Sequence, residues 1–281
     1  MNQTFDFRRW WMLVTLHWAE NRKRYLLGLL AIAGLLIAWY SFLLAVDKYS
    51  PLDLNYQFSA YFVGLFVIGC LLAGTGFSQL GERQQGIGYL SIPASHLEKL
   101  LCVLFFSVFL FFIAFTLVFY IVDIPFVQAA NKHSLTGSMY QPGTTYPISY
   151  SPVYNICTGF GAPIPEEKGH VFLISYFAIQ SAYLLGSVYF TRSSFIKTTV
   201  AVLLFILIFV AFITEGVEKR LPDGWRINDL FQWTNASTLI GHRQWVRLPL
   251  WIENLLWFLL QYCITPLLWV VTYFRLREKE V

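Results

Sequence analysis

Charge is scarce in this chain of 281 residues: Asp, Glu, Lys and Arg make up only 13% of it, against roughly 25% in soluble domains. With 57% hydrophobic and 19% aromatic residues, that shortage excludes an ordinary water-soluble domain. The net charge of +4 is small and its basic residues are scattered, so no nucleic-acid partner is expected.

Catalytic constellations are missing too. The chain holds no H-E-x-x-H, no G-x-S-x-G and no paired intramembrane aspartates. Its histidines (His17, His96, His133, His170, His242) never fall at i, i+4, so neither a metal nor an enzyme activity is expected. Glu166 and Glu167 read as a solvated turn. Cys70, Cys102, Cys157 and Cys263 form no C-x-x-C pair. The first, second and fourth lie in apolar runs as small hydrophobes, and Cys157 stands alone in a polar loop, so no disulfide framework is read. The charged, aromatic start shows no cleavable signal peptide, and targeting is expected to rest on the first span.

The third shortage is inside the apolar runs. Their middles carry no Asp, Glu, Lys, Arg or His, although such residues usually mark proton or ion pathways. Transport driven by a proton or sodium gradient is therefore disfavoured. Glu253, near one end of the last run, reads as snorkelling or pairing with Arg247.

What the chain does have is six long apolar runs, at 25–46, 56–77, 100–122, 170–190, 198–214 and 250–274. All suit crossing about 30 Å of hydrocarbon, the fifth only just. The fold class predicted is an all-α integral membrane protein, one transmembrane domain over 1–281, with outer segments at 123–169 and 215–249. Residues 5–20 place Phe7, Trp11, Val14 and Trp18 at helical spacing beside Trp10, Leu13 and His17, which predicts a helix lying in the membrane interface. With the N-terminus inside, 12 of the 20 Lys plus Arg fall on inner segments, and the short flanks are clearly biased that way. An even number of spans then puts both termini in the cytoplasm.

The stretch 78–99 is the main polar break between the second and third runs. Gly81, Gly86 and Gly88 permit tight turns, Pro93 disfavours helix at the residue before it, and Ser95-His96-Leu97-Glu98 fits a capping box. A helix should therefore start at about His96. A compact polar segment here suits the grip of a soluble partner, or is simply a tight connection.

Small residues recur at four-residue spacing: Ala178, Ala182 and Gly186 on the fourth run, Gly69 and Ala73 on the second, Gly34 and Ala38 on the first. Such faces let helices approach closely, within one chain or across a dimer. Gln180 and Ser181, at mid-membrane depth, serve either interhelical hydrogen bonds or a polar path. Tyr140, Tyr146, Tyr150 and Tyr154, among Pro142, Pro147 and Pro152, suggest a compact outer lid. Trp225, Phe231 and Trp233, near Pro222 and Gly224, suggest short interfacial helices.

This plan resembles the type-2 exporter class of ABC transporter permeases. The segment E-R-Q-Q-G-I-G-Y-L-S-I-P-A-S-H-L-E-K is similar to that family's inner loop. The resemblance implies that Glu82, Arg83, Gly86, Leu90, Pro93, Ser95 and Glu98 lie in or beside a helix coupling to an ATPase. It further implies that 5–20 is a connecting helix, that 228–237 forms short outer helices, and that the membrane is the bacterial inner membrane. The long 123–169 segment departs from the family's usual short link. The chain has no G-x-x-x-x-G-K-[S/T], so ATP would be bound by a separate ABC ATPase subunit, with no cofactor in this chain. The expected function is the membrane subunit of an ATP-driven exporter, working in the lipid bilayer as a dimer. The rival reading is an envelope scaffold that binds a partner through its Tyr/Pro-rich outer loop.

Overall fold

The computed structural model describes residues 5–46, 52–78, 92–138, 152–155, 169–190, 193–212, 225–229, 232–235, 244–247 and 249–279. The expectations for Cys157, Glu166, Glu167, Tyr140, Tyr146, Tyr150 and Phe231, and for the side chains of Glu253 and Arg247, fall outside what is described.

Helix α1 (Phe7–Val46) runs unbroken for 40 residues, about 60 Å at 1.5 Å per residue. This corrects the expectation of a separate helix over 5–20 followed by a span. No Gly or Pro interrupts 7–27, so nothing in the sequence breaks the backbone ladder where the two were expected to part. Asp6 caps the start, its carboxylate accepting from Arg8 N at 2.9 Å.

Next come α2 (Leu54–Gly74) and α3 (His96–Leu104). A π-helical stretch, Phe105–Leu110, leads directly into α4 (Phe111–Ser138). Then follow α5 (Gly169–Tyr189) and α6 (Ser194–Ala211). The last helical unit is α7 (Leu250–Phe258), a second π-helical stretch, Leu259–Cys263, and α8 (Ile264–Glu278). Six helices among the described residues are long and apolar enough to cross a membrane: Phe7–Val46, Leu54–Gly74, His96–Lys132, Val171–Tyr189, Ser194–Ala211 and Leu259–Glu278. The chain is a multi-pass helical membrane protein.

Two segments differ from the sequence reading. The third helix does not stop at Val122 but continues through Pro125 to Ser138. Val122, Phe126, Val127 and Ala130 return at helical spacing and pack on the core, so burial of that stripe offsets the backbone hydrogen bond that Pro125 removes. The described residues within 228–237 are not helical either. Strands β1 (Trp225–Asp229), β2 (Gln232–Asn235) and β3 (Gln244–Arg247) form an antiparallel sheet in the order β1-β2-β3. Ile227, Trp233 and Val246 share one column of its register, with Arg226, Thr234 and Trp245 in the next. Aromatic and β-branched residues at such spacing favour strand, which the reading of three isolated aromatics missed.

Helix α5 is the hub, packed against α2, α6 and α8, while α1 lies along α3 and α4. Buried tyrosines along this core find partners for their hydroxyls, as a dry interior requires. Tyr61 meets Thr116 Oγ1 at 3.0 Å and Tyr183 meets Thr199 Oγ1 at 2.9 Å. Tyr176 donates at 3.2 Å to the carbonyl of Val108, inside the first π-helical stretch. At the other end of the bundle from Glu98, the buried Gln57 amide donates to the carbonyls of Leu52 and Pro152, both at 3.2 Å. Its oxygen accepts from Tyr154 N at 2.8 Å. That clamp ties residues 152–155 to the start of α2, and burial there pushes the Tyr154 hydroxyl up to about 12.

Two small-residue positions act within the chain. A Cβ at Gly69 would overlap the Gln180 amide, and one at Gly186 would overlap the side chain of Thr198. Around Gly34, by contrast, a Cβ would meet nothing within 4 Å. Gly186→Ala should therefore destabilise by about 1–3 kcal/mol through overpacking, with Gly34→Ala neutral to slightly stabilising. Melting curves in one detergent check this, and equal midpoints for the two variants would contradict the packing described.

Candidate functional site

The start of α3 is where the sequence concentrates its expectations. Ser95 has extended dihedrals (φ −68°, ψ 155°) and its hydroxyl accepts from Glu98 N at 3.2 Å. Glu98 Oε2 in turn accepts from Ser95 N at 2.9 Å. Both halves of the capping box are present. Pro93 precedes it in a bend closed by Ala94 N donating to the Ile92 carbonyl at 2.7 Å.

Glu98 does more than close the box. Its Oε1 accepts from Asp6 N at 2.8 Å and from Arg9 Nη2 at 3.1 Å. One fully buried carboxylate thus joins the N-termini of α1 and α3 to a guanidinium. Helix N-termini carry unpaired N–H groups and partial positive charge, so the position favours an anion twice over. Arg9 is reinforced by Asp6 Oδ2 at 3.8 Å.

An apolar contact extends the junction. Leu13 and Val14 of α1 pack with Cys102 and Phe106. Trp10 meets Phe105 edge-on at 5.8 Å, and Tyr25 stacks on Phe106 at 5.7 Å and 2°. His17 Nε2 lies 2.8 Å from Tyr25 Oη. The aromatic face expected of 5–20 is therefore divided. Trp10, Leu13, Val14 and His17 turn toward α3 and the π-helical stretch after it, Trp18 stacks on Phe106 while staying half-exposed, and Phe7 and Trp11 stay exposed.

Of the residues assigned to the coupling segment, Pro93, Ser95 and Glu98 gather at this junction, whereas Glu82, Arg83, Gly86 and Leu90 lie outside the described residues. Gln180 and Ser181 are elsewhere, buried between α5 and its neighbours. With its amide nitrogen toward α2, Gln180 donates to the Gly69 carbonyl at 2.9 Å and accepts from Cys70 N at 3.2 Å. Ser181 donates back to the Phe177 carbonyl at 2.7 Å.

A second acidic contact went unread in the sequence. Asp123, buried on α4, accepts from Tyr40 Oη of α1 at 2.7 Å, and its Oδ2 has no partner among the described residues. The sequence reading had placed Asp123 in an outer loop, which hid a carboxylate on the third span. The helical return of Val122, Phe126 and Ala130 was the available signal. For Arg9 and Asp6 no local signal existed, since their partner is about 90 residues away. Among the described residues no group of three or more His, Cys, Asp or Glu is placed to hold a metal.

The chain matches no family model, no curated protein and no solved structure.

Removing the shared acceptor takes a buried partner from three donors at once. Glu98→Ala should destabilise by about 3–5 kcal/mol, the range for breaking a buried pair, and Ser95→Ala by about 1 kcal/mol. Thermal unfolding in detergent measures both. A Glu98→Ala midpoint equal to wild type would mean the two helix starts are not joined in this way.

Proposed function

We propose that this protein is the membrane-spanning subunit of an ATP-driven exporter of the type-2 ABC class, acting as a dimer with a separate ATPase. The observation that carries the reading is the Glu98 junction. The element that the resemblance reads as a connecting helix, the start of α1, and the coupling residues at the start of α3 are joined by one buried carboxylate and a shared aromatic contact. A push on residues 78–99 would then move α1 and α3 together and reach α4 through the π-helical stretch. In this reading the end of the bundle bearing Glu98 faces the cytoplasm, both termini lie there, and Phe7, Trp11 and Trp18 rest on the membrane interface. The substrate path would form between two copies, and ATP would stay on the partner.

Purification in a mild detergent, followed by mass spectrometry of co-eluting proteins, tests the proposal. A stoichiometric ATPase should accompany the wild-type chain, and Glu82→Ala combined with Arg83→Ala should lower its recovery at least fivefold while leaving the melting temperature unchanged. An envelope protein recovered in place of an ATPase, and lost on deleting residues 139–150, would replace the exporter reading with a scaffold.

A further inference from the structure

Helix α1 touches α3 and α4 along its length but makes little contact with α2. Between α1 and α2, floored by α4, a cleft of about 520 Å³ remains, within the roughly 300–1,000 Å³ of small-molecule sites. Its walls are apolar, with Leu29, Ile32 and Leu35 of α1 facing Ile68 and Leu72 of α2 over Phe111. Water gains nothing from such walls, and an unfilled gap forfeits dispersion contacts, so hydrocarbon is the natural content.

One end of the cleft is different. Arg24 lies there beside Tyr25, and both also line a second cavity of about 60 Å³ with His17, Asn21, Thr75 and Ser107. That volume holds about four waters or a small charged group. The Arg24 side chain takes part in none of the ion pairs among the described residues, and Arg22 and Lys23 precede it on the same turn. A long apolar slot thus opens beside a compact chamber whose lining is about half polar, with a cation between them.

We infer that this paired cavity binds one anionic phospholipid, an acyl chain lying between α1 and α2 and the phosphate meeting Arg24 beside the compact chamber. The charge selects against zwitterionic lipid, and the slot fixes the chain rather than merely wetting it. The site stands independently of the exporter reading, since it needs neither an ATPase nor a second copy.

Gly28 supplies a clean test. It lines the slot, and a Cβ there would meet nothing within 4 Å, so Gly28→Trp directs an indole into the slot. Gly34 is equally open but does not line the slot, and Gly34→Trp is the control. Native mass spectrometry of the full chain, delipidated in detergent and titrated with phosphatidylglycerol or phosphatidylcholine, reads the outcome. Wild type and Gly34→Trp should hold one phosphatidylglycerol with at least fivefold preference over phosphatidylcholine. Gly28→Trp should lose at least fivefold in retention of either lipid, and Arg24→Gln should abolish the preference. Equal retention of the two lipids by wild type, or unchanged retention by Gly28→Trp, overturns the inference.

Discussion

Away from water a carboxylate leans on the protein for its partners, and the fully buried Glu98 draws two helix starts and an arginine onto its two oxygens. The consequence reaches well beyond the junction. The outer flank of α1 is exposed along Leu26, Leu27 and Leu30, so its place in the fold is set by the side that meets α3 and α4. Glu98 holds one end of it and Asp123, through Tyr40, holds the other. Both acids belong to the third span, which is why α1 follows α3 and α4 and stands away from α2.

That attachment explains the cleft. A helix pinned to one neighbour at two distant points leaves a wedge against the next neighbour unless side chains fill it. Here Gly28 and Ala31 are among the residues of α1 facing the wedge, and they are too small to do so. The apolar slot therefore follows from the same pair of hydrogen-bonded acids that seats α1 on α3 and α4.

Elsewhere the bundle relies on close approach. Gly69 receives the Gln180 amide and Gly186 receives Thr198, so α5 is seated against α2 on one side and α6 on the other. Since lipid tails are as apolar as the helices, fit and interhelical hydrogen bonds hold such contacts. At Gly34 a Cβ would meet nothing within 4 Å among the described residues, so the same pattern has different outcomes on different helices. On the proposed function, this closely packed α2–α5–α6 group would be the frame against which the α1–α3 junction moves.

The spans were legible because each is a long apolar run whose cost in water decides its fate locally. The start of α3 was legible because a capping box is complete within four residues, and Ser95 and Glu98 close it as the sequence predicts. The continuity of α1 and the helix beyond Pro125 were not, since polar or proline-bearing stretches become helical or not according to what their apolar stripe packs on. Nor were strands β1, β2 and β3, whose register pairs residues that are not neighbours in the sequence. What the sequence by itself determined is the number of membrane-length helices and the cap that begins the third. Only the tertiary structure decided which acid meets which partner, 83 and 92 residues apart, because packing brings such groups together and no local pattern records it.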